Sequence, residues 1–373
     1  RRSSDLVDEV LKQATNKDPE ERYPDMRAFL YALKRAAKPE ATFKVAPTEA
    51  SAEPDIDPAL IPNPYKGLRA FEEADAVDFF GREQLTGQML ERLQQDDASA
   101  NFLAVVGPSG SGKSSAVKAG LIPALRQGTL VGSEEWFFAD MVPGHDPVGD
   151  LVSALLSIAP ARPESLADLL RNDPRGLHRS LKALLPEADS KLVLVIDQFE
   201  EVFTMVGAAA QKRHFMDLLL LAVQAPNSRL VVIVTLRADF YDRPLLYEDF
   251  GTLMQARTQV ILPLSADELE RAITAPAERV GLIVERDLVA AIVNDVRSEP
   301  GALPLLQYAL TELYERRDGR KLTLEAYQQS GGVLGALARR ADDVYNGLTP
   351  AQQAVTRSEE HTSELQSRMF KSY

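Results

Sequence analysis

An apolar run, Phe102-Leu-Ala-Val-Val106, leads directly into Gly107-Pro-Ser-Gly-Ser-Gly112-Lys113-Ser114. Few folds accommodate that junction. The apolar run reads as a strand buried on both faces, and the stretch after Ser114 reads as a helix. Between them the spacing G-x-x-x-x-G-K-S/T predicts a loop that cradles phosphates. Glycines let successive backbone N–H groups curl around an anion, and the helix N-terminus adds its dipole. The predicted contacts are Gly107, Pro108, Ser109, Gly110, Ser111, Gly112, Lys113, Ser114 and Ser115. Lys113 is placed to reach the β- and γ-phosphates and Ser114 to bind Mg²⁺.

A metal site of this kind needs a carboxylate from a second strand. "LVLVIDQFEE" supplies one, because Asp197 ends an apolar run at the carboxyl end of a strand, where open α/β sheets bind ligands. Further runs, "EWFFADMV", "RLVVIVTLR" and "TQVILPL", read as strands, and helical stretches such as "GKSSAVKAGLIPAL" and "QKRHFMDLLLLAV" alternate with them. The pattern predicts an α/β P-loop NTPase fold, a parallel sheet of about five strands with helices on both faces. One full strand lies between the two motifs. In that branch of the fold the next strand inserts between the two motif strands, so Arg237 at its end would face the γ-phosphate. The other reading is a surface arginine at a strand end. From Ser265 onward the pattern is wholly helical.

Composition narrows the function. The formal net charge is −13, which argues against non-specific binding to nucleic acid or anionic lipid. Cysteine is absent, so the chain has no disulfide framework and no thiolate metal site. That fits a reducing compartment, and a cytoplasmic location is expected. No apolar run approaches the ~20 residues that span a bilayer. His145, His178 and His214 are scattered, so no metal beyond Mg²⁺ is expected, and Trp136 reads as core. The chain does not begin with Met and reads as a piece of a longer protein.

Several segments together resemble the STAND NTPases, and within them the novel-STAND group of bacterial signalling proteins. They are "NPYKGLRAFEEADAVDFFGRE", the phosphate loop, "IDQFEEVF", "TLRADFYDR", "SADELERAITAPAERVGL", "PGALPLLQYALTEL" and "YQQSGGVLGALARRADDVY". The resemblance implies a nucleotide-binding domain over residues 63–263, a helical lid over 264–320 and the start of a winged helix over 321–356. It implies that Phe80, Gly81 and Arg82 lie along adenine, and that the turn from Gly301 to Pro304 closes over base and ribose. ATP or ADP is the implied ligand, with a homo-oligomer in the ATP state and a sensor domain beyond the C-terminus. No element for guanine is evident.

Residues 1–37 resemble the last helices of a Ser/Thr protein kinase, without any of the kinase's catalytic motifs. Residues 38–62, rich in Pro, Ala and acids, read as a linker. Residues 357–373 interrupt the family pattern and resemble a translated sequencing adapter, so His361 is given no role.

A rapid ATPase of this branch commonly carries Glu directly after the metal-binding Asp. Here Gln198 stands there, and an amide orients water without accepting its proton. Glu200 and Glu201 are the nearby carboxylates. The substitution favours slow hydrolysis and a nucleotide switch. A remodelling motor, or a scaffold that keeps nucleotide without turning it over, stay open as alternatives.

Overall fold

The computed structural model describes residues 60–95, 100–159, 165–185, 190–298, 301, 303–350 and 352–353. The chain divides into two units, Arg1–Asp55 and Ile56–Tyr373, and the described residues all belong to the second. The expected kinase-like hairpin, most of the linker and the tail from residue 357 lie outside them.

Five parallel strands form one sheet: β1 (Phe102–Gly107), β2 (Phe137–Met141), β3 (Leu192–Ile196), β4 (Leu230–Arg237) and β5 (Thr258–Val260). Their order is β2-β3-β4-β1-β5. β4 therefore separates the phosphate-loop strand from the strand that ends at Asp197. Alternation divides each central strand between two cores, as a sheet covered on both faces requires. Phe102, Ala104 and Val106 join Leu194, Ile196, Val232 and Val234 on one face. Leu103 and Val105 join Val193, Val195, Val231 and Ile233 on the other, against Ala116, Val117 and Leu121 of the helix after the loop.

That helix is not uniform. Lys113–Ser115 passes through a π-helical turn, Ala116–Leu121, into Ile122–Arg126. Pro123 has no N–H to give Ala119 and its ring crowds that carbonyl, so the helix widens there and Ile122 N donates to Val117 O instead.

Beyond β5 a separate core gathers the helices Ala266–Val280, Arg286–Ser298 and Leu303–Glu315. The first begins with a capping box in which Ser265 and Glu268 satisfy each other's backbone N–H groups. Residues beside two expected boundaries pack into this core. Composition extends the linker to residue 62, yet Ile61 is buried in this helical core and its carbonyl accepts a hydrogen bond from Tyr314 Oη. Tyr65 adds a second tie through Ile273 O at 2.8 Å. The resemblance starts the winged helix at residue 321, yet β7 (Lys321–Leu322) pairs with β6 (Ile283–Val284), and Leu322, Tyr327 and Val333 pack into the same helical core. Tyr327 Oη also donates to Asp295 at 2.7 Å. The helical core therefore includes residues past 320.

Candidate functional site

The phosphate loop takes its shape from glycine. Gly110 and Gly112 sit at φ +72° and +85°, where any side chain would be strained. Ser111 Oγ is buried with no hydrogen-bond partner among the described residues. Lys113 Nζ bonds only to carbonyls of its own loop, Gly107 O at 3.1 Å and Pro108 O at 2.9 Å, and is in no ion pair among the described residues. Burial holds its ammonium below the usual lysine range. Arg237 pushes the same way, while the charges of Glu200 and Asp197 oppose it. An orphaned hydroxyl, a cradle of glycines and a cation without a counter-ion are the donor set of an anion site.

Asp197 continues the β3 face that carries Val193 and Val195, and it is buried. Its Oδ1 accepts bonds from Ser114 Oγ at 2.7 Å, Thr235 Oγ1 at 2.6 Å and Gln198 N at 3.2 Å. Among the described residues no cluster of three or more His, Cys, Asp or Glu could hold a metal ion. Ser114 and Asp197 are two oxygen donors side by side, which fits Mg²⁺, an ion that keeps waters and takes other ligands from phosphate.

Gln198 adopts φ +54°, a left-handed conformation uncommon for a residue with a side chain. Its N–H is held by Asp197 and, at 2.9 Å, by Thr235 Oγ1, and its side chain is exposed. The two nearby carboxylates differ. Glu200 Oε2 accepts from Arg237 N at 3.2 Å, which ties it to the end of β4. Glu201 opens the short helix Glu201–Thr204, and its carboxylate has no partner among the described residues. Arg237 ends β4 directly beside Gly107. Its guanidinium turns to Asp239, with Nε–Oδ1 at 3.1 Å and NH2–Oδ2 at 2.7 Å.

A cavity of about 260 Å³ lies between the phosphate loop and the helix Leu303–Glu315. Gly110, Gly112, Lys113, Ser114 and Ser115 line one end, and Phe80, Arg82 and Pro304 line the walls. Arg82 spends its buried guanidinium on Ser111 O at 3.2 Å and Leu262 O at 2.9 Å, so it braces the loop from outside the phosphate cradle. Burial holds it below the ordinary arginine range, against the pull of Glu268. Gly81 and Gly301 are not among the lining residues, although their chain neighbours Phe80, Arg82, Leu303 and Pro304 are. Gly81 has φ +82°, and a Cβ there would lie 2.3 Å from Glu268 O of the lid. A Cβ on Gly110 would lie 3.2 Å from Gly301 O and 3.5 Å from the Pro304 ring, so the lid turn rests on the phosphate loop itself.

Sequence reasoning missed part of the wall. Phe71, Leu264 and Gln307 all line the cavity. Phe71 N is held by Ser115 Oγ at 3.2 Å, and its ring meets Phe79 edge-on at 5.4 Å. Thr235 was missed as well, although one hydroxyl inside the apolar run "LVVIVTLR" is a legible signal. Two histidines bond to backbone carbonyls instead. His145 Nδ1 meets Met205 O at 2.9 Å and His214 Nε2 meets Leu170 O at 2.7 Å.

The sequence profile of the Novel STAND NTPase 1 family matches residues 64–358. The chain belongs to this family. The match spans both the sheet and the lid, so the cavity between them lies wholly within the family's unit. No curated protein matches the chain. Solved structures resemble the chain at low identity. The Drosophila origin recognition complex bound to DNA is 16% identical, with a TM-score of 0.48, covering 73% of this chain and 64% of that one. A Walker-type ATPase of Pyrococcus abyssi is 14% identical, with a TM-score of 0.46, covering 79% and 80%. Domain III of the Thermotoga maritima replication initiator DnaA is 14% identical, with a TM-score of 0.41, covering 68% and 93%. Among the described residues of this STAND-type P-loop NTPase, no helix is long and apolar enough to cross a membrane.

Proposed function

We propose that the chain is an ATP/ADP-binding signalling switch that hydrolyses ATP slowly and passes its nucleotide state to an attached effector and to oligomerisation. The observation that carries this reading is the seating of Gly301 and Pro304 of the lid on Gly110 of the phosphate loop. Whatever occupies the loop is felt by the lid without an intermediary. A ligand shifts such an arrangement only by contacts it makes in one state and not in the other.

The residues divide the work. Backbone N–H groups of Gly110–Ser114 and the ammonium of Lys113 bind phosphate oxygens. Ser114 and Asp197 hold Mg²⁺, which when bound screens phosphate charge. Phe80, Phe71 and Pro304 offer apolar surface to base and ribose, and adenine is the base favoured by resemblance. Glu200 is the better placed base for an attacking water, being anchored on Arg237 N, while Gln198 only orients it. Arg237 exchanges Asp239 for the γ-phosphate, so it distinguishes ATP from ADP.

The attached effector is the Ser/Thr kinase that residues 1–37 resemble, with a sensor domain beyond the C-terminus and a homo-oligomer in the ATP state. The net charge of −13 favours protein partners over nucleic acid, and the DNA in the fly complex is a property of that complex. The test is calorimetry of Mg²⁺·ATP and Mg²⁺·ADP beside a turnover assay. Binding of both with turnover over minutes supports the switch. Failure to bind either overturns it.

A further inference from the structure

We propose that Thr235 is a positioning residue for the metal-binding carboxylate and for the strained turn after it. The inference rests on the reading of Ser114 and Asp197 as the Mg²⁺ donors. Period-two alternation puts Val231, Ile233 and Thr235 on the sheet face that packs against the phosphate-loop helix. The same alternation puts Val193, Val195 and Asp197 on that face of β3. The register pairs Ile196 with Val234, so its next step sets Asp197 beside Thr235.

Thr235 is 1% exposed in a strand otherwise apolar up to Leu236, so its hydroxyl must find a partner inside. It donates to Asp197 Oδ1 at 2.6 Å and accepts Gln198 N at 2.9 Å. One hydroxyl thus serves both groups that matter after β3. Ser114 and Thr235 reach Oδ1 from two different elements, and no bond among the described residues falls on Oδ2. The carboxylate is held by one oxygen, and the other is left for a ligand. The acceptor side of the hydroxyl pins the N–H of Gln198 at φ +54° and so fixes where the turn sends Gln198 and Glu200. A valine fills the same space without either bond.

Partners that orient a metal ligand typically contribute ten- to a hundredfold to metal affinity. The experiment measures ADP affinity of the full chain by calorimetry, first in chelator and then across a Mg²⁺ series, for wild type, Thr235→Val and Thr235→Ser. Thr235→Val is expected to raise the Mg²⁺ concentration for half-maximal enhancement of ADP binding at least about tenfold, with affinity in chelator unchanged. Thr235→Ser, which keeps the hydroxyl, is expected to restore the wild-type requirement. Where Thr235→Val does not fold, Thr235→Ala carries the same comparison. An unchanged Mg²⁺ requirement overturns the role, and so does an equal loss of affinity in chelator, which would make Thr235 merely structural. Wild type that binds no ADP at all refutes the nucleotide-site reading instead, a failure visible before any variant is compared.

Discussion

Gly81→Ala tests how the sheet and the lid are joined. Gly81 sits at φ +82°, and a left-handed residue with a Cβ costs roughly 1–2 kcal/mol. The new methyl would also lie 2.3 Å from Glu268 O and 3.2 Å from Ala272 Cβ. Glu268 O belongs to the first turn of the helix Ala266–Val280, where the capping box fixes the backbone, so it cannot swing aside like the end of a flexible side chain. Relief must come from moving the lid or the chain around Arg82. The sum is about 2–4 kcal/mol, at the upper end of single substitutions. At roughly 2–4 °C per kcal/mol for a domain of this size, Tm should fall by about 4 °C or more. The internal control is Gly87→Ala. Gly87 lies inside the helix Glu83–Gln94, and an added Cβ meets nothing within 4 Å. It should stabilise by ~0.5–1 kcal/mol through helix propensity and unfolded-state entropy. The assay is thermal unfolding of the two variants and wild type by circular dichroism. A Gly81→Ala protein that melts with wild type would refute the close approach of the lid.

Lys113→Ala should abolish nucleotide binding in calorimetry, since it removes the one ammonium in the loop. Burial already depresses Lys113 in the free protein, and a bound polyphosphate would raise it again. Binding therefore takes up a proton at alkaline pH, and ADP affinity should fall as pH rises through a window opening below the ordinary lysine pKa of ~10.4; affinity that is flat from neutral pH to that value contradicts the placement. Arg237→Ala should spare ADP and weaken ATP about ten- to a hundredfold, the loss of one charge-assisted contact, and equal weakening of both removes it as the γ-phosphate sensor. Glu200→Gln should slow single-turnover hydrolysis ~10²–10⁴-fold while Glu201→Gln changes it little; the reverse ranking would transfer the base to Glu201.

Local motifs were legible because their chemistry is local. Gly107–Ser114 needs only a strand, a glycine turn and a helix in sequence, and the order of strands emerges once "WFFADMV" is counted as a strand between the two motifs and "LVVIVTLR" as the one inserted between their strands. The π-helical turn was not legible from periodicity, although Pro123 is its physical cause. β6 and β7 are two residues each, too short for any alternation to show, so nothing in the local pattern corrects the boundary at residue 320 that the resemblance implies, while Leu322 and Tyr327 still pack into the helical core. Ile61 reads as part of a Pro- and acid-rich linker, and only the closure against Tyr314 reveals it as core. The cavity wall shows the same limit. Phe71 and Gln307 are far apart in the chain, and nothing local to either says they meet around one space.

The most direct test of the switch is a single-turnover measurement of ATP hydrolysis by the full chain with Mg²⁺. With Gln198 after Asp197 and the lid seated on Gly110, one ATP should be consumed over minutes, the range of intrinsic P-loop switches that lack an activating partner. Consumption of that ATP within a second would contradict the account.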